Sequence, residues 1–353
     1  MINVLIVDDS SFMRRALTEM LKSSEDITVV GTANDGIEAL KKAKELSPDV
    51  ITLDVEMPRM DGLTTLQELM KTNPCPVIMV SSLTEEGAEA TLKALEYGAL
   101  DFIPKNMGAA PQHFGEELVK RIRAIARRKA LLRLRYSRIN RTSAENHSPS
   151  DAGRVPASSP CRGARDIVAI GVSTGGPPAV QKILSQLPEN FPACILIAQH
   201  MPATFTGPFA KRLDAVSKLT VTEAAEGDRL RPGHAYVCPG GKHMSVVKRG
   251  IMPEIHISTE PTDAIYKPSV NVLMDSFGKT LGFRTLGVML TGMGSDGCEG
   301  AKTLTANGGY LIAQSESSCV VYGMPKAVVD AGLANQIADI DNMASAILTA
   351  VRG

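Results

Sequence analysis

Ile167-Val168-Ala169-Ile170-Gly171-Val172-Ser173-Thr174-Gly175-Gly176-Pro177-Pro178 opens the second half of this chain and sets its expected architecture. Uncharged β-formers lead into Gly, two small hydroxyl residues and then Pro. That order predicts a strand, a tight turn and a helix start, because proline is favoured in the first helical turn, where a missing N–H costs nothing. The Ser173 hydroxyl then stands at the C-terminal edge of a sheet, beside the N–H groups of a helix N-terminus. Such a place suits a nucleophile, and equally a phosphate. The Gly-x-Ser-x-Gly match at 171–175 does not decide between them. Short Gly/Ser matches are common, and Ser173 as a helix N-cap explains the string as well.

The same alternation continues outward from this stretch. Strands are expected at 166–171, 193–199, 286–291 and 309–313, and the section 219–257, with its Arg231-Pro232-Gly233 and Pro239-Gly240-Gly241 turns, reads as a set of hairpins inserted in an α/β sheet. Residues 1–125 alternate too, with strand patterns at 3–7, 27–31, 50–54, 77–81 and 100–103 and helical patterns beginning near Ser11, Asp35, Gly62, Thr84 and His113. Five βα units imply a parallel sheet covered on both faces. Between the halves, 120–141 holds ten basic residues and no acidic one, and 142–165 is rich in Ser, Pro and Gly without apolar periodicity. The expected organisation is therefore a domain at 1–125, a basic helix extension and flexible linker at 126–165, and a second domain at 166–353.

Composition bounds the function. The 353 residues are enough for two cores, and the formal net charge of zero argues against a dominant attraction to nucleic acid or membrane. No apolar run approaches the roughly 20 residues that span a bilayer, and 1–7 is too short for a signal peptide. The six cysteines, at 75, 161, 194, 238, 298 and 319, form no Cys-x-x-Cys pair and read as reduced residues of a cytoplasmic protein.

In the first domain, Asp8 and Asp9 follow the first strand and Asp54 ends the third. In a doubly wound sheet all three meet at the carboxyl edge, where such folds bind ligands. Three carboxylates there repel one another unless a cation joins them, and a hard divalent ion, most simply Mg²⁺, is the natural partner. Ser81 and Lys105 bring a hydroxyl and an ammonium to the same edge, a set able to hold a phosphoryl group on a carboxylate. Capping of the first helix explains Asp8 or Asp9 singly, but not the constellation.

Val7-Asp8-Asp9-Ser10, Leu53-Asp54-Val55-Glu56-Met57-Pro58-Arg59-Met60-Asp61-Gly62, Val80-Ser81 and Phe102-Ile103-Pro104-Lys105 resemble the receiver domain of two-component response regulators over about 1–125. The resemblance implies a flavodoxin-like five-stranded sheet and Asp54 as phosphoacceptor. It also implies Mg²⁺ held by Asp8, Asp9, Asp54 and the Glu56 carbonyl, Ser81 and Lys105 on the phosphoryl group, and Phe102 as the aromatic switch. One departure stands out. Receivers place proline directly after the lysine in a cis peptide, whereas here Asn106 follows Lys105. A non-proline cis bond costs about 3–4 kcal/mol, so the turn after Lys105 is expected to differ.

The basic segment reads as an amphipathic helix face, because apolar residues at 122, 125, 131, 132 and 134 interleave with the charges. No recognition-helix pattern or aromatic platform accompanies it, so DNA binding is the weaker reading.

A nucleophilic Ser173 needs a base, and the base an orienting acid. His200 closes the run Ala193-Cys194-Ile195-Leu196-Ile197-Ala198-Gln199, and Asp296 lies in Thr291-Gly292-Met293-Gly294-Ser295-Asp296-Gly297, just past another apolar run. All three come from loops at one edge of one parallel sheet. Asp296 as a cap for the helix near Gly297 is the bland alternative. A Cys hydrolase on Cys194 or Cys298 is a further one, weakened by the position of Cys194 within a strand. Nucleotide binding fits poorly, since no phosphate-binding Lys motif accompanies either glycine-rich turn. Among the other histidines, His243, in Pro239-Gly240-Gly241-Lys242-His243-Met244, is singled out by its turn.

Gly171-Val172-Ser173-Thr174-Gly175-Gly176-Pro177, Gln199-His200-Met201-Pro202, the His243 turn, 291–297 and Tyr322-Gly323-Met324-Pro325 resemble the CheB methylesterase domain. With the receiver, the chain outside its linker resembles that family of chemotaxis response regulators, protein-glutamate methylesterases and protein-glutamine glutaminases. The resemblance implies Ser173 as nucleophile, His200 as general base and acid, Asp296 as its orienter, the Met293 N–H as oxyanion donor and Thr174 as a lining residue. It implies methyl-accepting chemotaxis receptors as substrate and a CheA-type histidine kinase as phosphodonor. It also implies no cofactor for the hydrolytic step, and an unphosphorylated receiver that blocks the site. A cytoplasmic monomer, without nucleic acid and without membrane insertion, is expected. The rival expectation is a receiver-controlled binding protein whose output domain does not turn over.

Overall fold

A computed structural model describes residues 1–105, 111–126, 165–249 and 252–353. The chain divides into two compact units between Val155 and Pro156. Most of the expected basic extension and linker, residues 127–164, lies outside the described residues, as does the turn after Lys105 at Asn106.

The first unit runs β1 (Ile2–Val7), α1 (Ser11–Lys22), β2 (Ile27–Ala33), α2 (Gly36–Leu46), β3 (Val50–Asp54), α3 (Gly62–Thr72), β4 (Val77–Ser81), α4 (Glu85–Glu96), β5 (Asp101–Pro104) and α5 (Pro111–Ala126). Its sheet has the order β2-β1-β3-β4-β5, parallel throughout. Every residue of β3 and β4 is buried, as helices on both faces require. Ser10 caps α1 by accepting from the Met13 N–H. Asp8 and Asp9 are therefore not its caps, and both stay available for other chemistry. The first arginines of the basic run are not unopposed. Arg121 donates to Asp101 and to Glu117 at 2.7 and 2.9 Å, and Arg123 pairs with Asp26. Two of these acids lie far away in sequence, so composition along the run could not reveal them.

The second unit runs β6 (Ile167–Val172), α6 (Gly176–Gln186), β7 (Cys194–Gln199), α7 (Ala203–Val216), β8 (Thr220–Glu223), β9 (His234–Val237), β10 (His243–Arg249), β11 (Met252–Ser258), α8 (Val270–Thr280), β12 (Thr285–Met289), α9 (Cys298–Ala306), β13 (Tyr310–Gln314), α10 (Met324–Asp330), β14 (Gln336–Ala338) and α11 (Met343–Arg352). Seven strands form one parallel sheet in the order β14-β13-β12-β6-β7-β9-β8. The chain leaves β6 towards β7 and later returns to place β12 on its other side. The carboxyl edge between them is a topological switch point, where open α/β sheets bind ligands. Val270, Leu273, Met274 and Phe277 of α8 are fully buried in the core with Ala169, Leu196, Met289 and Leu304.

The 219–257 section departs from a set of hairpins. β8 and β9 join the main sheet in parallel, and only β10 and β11 form an antiparallel hairpin. The ten residues between β8 and β9 reach the lower limit of a crossover connection, whereas a tight Pro-Gly turn alone would have joined the strands as a hairpin.

Candidate active site

The ends of three adjacent strands bring Ser173, His200 and Asp296 together. Ser173 follows β6, and its N–H donates to the Thr291 carbonyl at 3.0 Å. Gly175 carries the chain into α6 with φ +75°, and a Cβ there would lie 2.5 Å from Val320 Cβ. Gly175 rather than Ser173 is the N-cap of α6, so the serine hydroxyl is not used as a cap. His200 follows β7, and its N–H donates to the Val172 carbonyl at 3.1 Å.

The His200 ring lies between the other two groups. Its Nδ1 is 3.1 Å from Ser173 Oγ, and its Nε2 is 2.8 Å from Asp296 Oδ2. An ionised carboxylate only accepts, so the ring proton sits on Nε2 and the Nδ1 lone pair faces the serine hydroxyl. Asp296 does not cap the helix that follows it. Its Oδ2 also accepts from the Val270 N–H at 2.7 Å, while Oδ1 accepts from Ser269 Oγ and the Asn271 N–H, both at 3.0 Å. Asp296 thus seats on the N-terminus of α8, 26 residues earlier. Burial works against its charge, but the His200 ring and the two backbone N–H groups outweigh burial and hold the carboxyl below its ordinary range.

Several neighbours escaped the sequence reading. Tyr266 stacks on His200, with ring centroids 4.1 Å apart and planes 12° from parallel. Gln199 Nε2 donates to the Ser173 and His200 carbonyls at 3.0 and 3.2 Å, tying the two turns together. Thr291 Oγ1 donates to the Thr174 carbonyl at 2.9 Å. Ser269 ahead of the apolar α8 pattern carried a readable N-cap signal. Tyr266 carried none.

Gly292 packs against the nucleophile turn, since a Cβ there would sit 2.8 Å from Ser173 Cβ. The next residue, Met293, is partly exposed, and its N–H donates to no partner among the described residues. Thr174 is buried. The cysteine alternative loses ground, because burial pushes the Cys194 thiol up to about 12 and also raises that of Cys298.

In the first unit Asp8, Asp9 and Asp54 each offer an oxygen within 4.8 Å of the others. Lys105 Nζ stands 3.0 Å from Asp8 Oδ2 and 2.7 Å from Asp54 Oδ2. Burial pushes Asp54 up to about 6, more than the Lys105 ammonium offsets, and the Asp8 charge adds to the rise. Lys105 keeps its proton, because two carboxylates outweigh its own burial. Asp54 shares that one ammonium with Asp8, so the carboxylates remain short of positive charge. The hard oxygen set and its excess negative charge fit Mg²⁺. Ser81 and Phe102 are buried, and the Lys105 N–H donates to the Ser81 carbonyl at 2.7 Å. Glu56 is exposed two residues beyond Asp54.

Two families of known proteins match this chain. The response regulator receiver domain family matches residues 4–122, and the CheB methylesterase family matches 168–347. The chain is 53% identical over 356 residues to a protein-glutamate methylesterase/protein-glutamine glutaminase of Lawsonia intracellularis, covering 99% of each chain. It is 56% identical over 362 residues to one of Nitratidesulfovibrio vulgaris, again covering 99% of each. The crystal structure of the Thermotoga maritima CheB methylesterase catalytic domain matches with a TM-score of 0.51 at 36% identity, over 53% of this chain and 98% of that one. A strand-end Ser-His-Asp arrangement on a seven-stranded sheet, a receiver fold ahead of it and full-length relatives at this identity agree: the chain belongs to the CheB methylesterase family.

Proposed function

We propose that this chain is a serine hydrolase that removes methyl esters from glutamate side chains of chemoreceptors, deamidates receptor glutamines by the same chemistry, and is controlled by phosphorylation at Asp54. The full-length relatives carry the names of both activities. The observation that carries the reading is the His200 ring, in contact with Ser173 Oγ on one nitrogen and Asp296 on the other.

His200 Nδ1 takes the Ser173 proton as Oγ attacks the ester carbonyl. The resulting imidazolium is stabilised by Asp296, which stays ionised. The Met293 N–H, one residue past the Gly292 that packs on Ser173, donates to the developing oxyanion, a contribution worth about 2.7–4 kcal/mol. Collapse breaks the acyl–oxygen bond, and methanol leaves with the proton from Nδ1. Water then gives a proton to His200, attacks the acyl-enzyme and releases glutamate, and the proton returns to Ser173. With glutamine as substrate, ammonia leaves in place of methanol. Thr174 lines the site.

In the receiver, Asp54 accepts a phosphoryl group from a phosphohistidine kinase, and Ser81 and Lys105 hold it. Asp8, Asp9, Asp54 and the Glu56 carbonyl would hold Mg²⁺, which neutralises charge on the transferring group.

A serine-hydrolase probe tests the reading against a non-catalytic output domain. Fluorophosphonate should modify Ser173, and His200→Ala should abolish the labelling. Labelling at wild-type rate without His200 would refute the relay.

A further inference from the structure

His243 is the one histidine singled out in the sequence that the hydrolytic relay leaves unused. It opens β10 and is 1% exposed. Its Nε2 lies 3.2 Å from the Pro261 carbonyl, and its Nδ1 lies 3.2 Å from the Ser269 backbone nitrogen, whose N–H donates to it. One imidazole therefore bridges both ends of the segment 261–269. From the same turn the Gly241 N–H donates to the Lys267 carbonyl at 3.0 Å. This segment carries Tyr266, whose ring stacks on His200, and it ends on Ser269, whose Oγ donates to Asp296.

Only the neutral Nε2–H tautomer serves both contacts, since it donates at Nε2 and accepts at Nδ1. Burial pushes the imidazole below its ordinary range, and Lys267 acts with burial. The Pro261 carbonyl and the charges of Asp296 and Glu260 act in the opposite sense.

We propose that His243 is a positioning residue that clamps the 261–269 strap, holding Tyr266 over His200 and Ser269 against Asp296. The proposal rests on the hydrolase reading. His243 touches none of the reacting groups. Its effect passes through the orientation of the His200–Asp296 pair, where a misplacement of about 1 Å costs about 100-fold in rate.

Two amide variants separate the contacts. The Oδ1 of His243→Asn can accept from the Ser269 N–H as Nδ1 does, but Asn cannot reach Pro261. The Nε2 of His243→Gln can donate to Pro261, but Gln cannot serve Ser269. Methanol release from methylated receptor by the full chain should show kcat reduced about 10- to 100-fold in His243→Ala with KM nearly unchanged. Because Ser269 bonds Asp296 directly, His243→Asn should recover more of that loss than His243→Gln, and neither all of it, at matched Tm. A His243→Ala kcat within about twofold of wild type would overturn the proposal, as would a loss carried wholly by KM. If the alanine variant does not fold, the order of the amide variants decides, and Gln equal to or above Asn overturns the clamp. Inactive wild-type protein would instead overturn the hydrolase reading beneath it.

Discussion

Replacing Asp296 with Asn removes one charge and almost no volume, so its consequences follow from hydrogen bonds and charge rather than packing. The carboxylate accepts from four donors, two at each oxygen: His200 and Val270 at Oδ2, Ser269 and Asn271 at Oδ1. An amide has a single acceptor oxygen. With that oxygen at the Oδ2 place, the NH₂ faces the Asn271 N–H and strands it. With the oxygen at the Oδ1 place, the NH₂ faces the Val270 N–H and forces His200 to accept at Nε2. The ring proton then moves to Nδ1, and His200 can no longer take the proton of Ser173. Either orientation leaves one backbone N–H at the start of α8 unsatisfied, that of buried Val270 or half-buried Asn271, at a cost of at most about 1–3 kcal/mol. In both, the imidazolium formed during attack loses the counter-charge 2.8 Å away. A carboxylate-to-amide change in this role lowers kcat by about 10⁴ in the best-studied serine triad, so a loss of about 10³–10⁴ is expected here. Methanol release gives the rate, and chemical denaturation gives the stability. Asp296→Asn retaining kcat within about tenfold of wild type, at unchanged stability, would refute the assignment of Asp296 as the orienter of His200.

Asp54 supplies a pH test. Its folded-state value is raised from 3.8 to about 6, so ionised Asp54 costs stability above that range. The cost vanishes below 3.8, where both states are protonated. That difference corresponds to an upper bound of about 3 kcal/mol. In metal-free buffer Asp54→Asn should therefore be more stable than wild type near neutrality, by an amount that shrinks to nothing as pH falls through this window. An Asp54→Asn advantage that grows on acidification would contradict the burial argument. The same variant, given a phosphodonor, should keep the basal esterase rate. Gly175→Ala should lower unfolding free energy by about 1–3 kcal/mol in equilibrium denaturation, through its left-handed backbone and the Val320 contact, and an unchanged midpoint would argue against both. Cys194→Ala should keep kcat within about twofold, and a much larger loss would revive the thiol alternative.

Much of this architecture is local in origin and was therefore legible. Strand patterns ending at Val7, Asp54 and Ser81 fix the receiver edge, and those ending near Ser173 and His200 fix two corners of the second site. Asp296 was legible as a residue but not in its setting, because the helix that seats it begins 26 residues earlier and meets it only in the fold. Tyr266 and His243 act through a strap with no periodicity, so no pattern marked their contacts. The parallel entry of β8 and β9 was missed for a related reason. Short strands bounded by Pro-Gly turns look like hairpins until a third strand provides the pairing edge.

Ser173 as the group that opens the ester is tested by methanol released from methylated receptor membranes, with and without phosphodonor. Wild-type protein should release methanol, faster when Asp54 can be phosphorylated, and Ser173→Ala should release none above the blank. Release by Ser173→Ala at a rate near wild type would rule out Ser173 as the nucleophile.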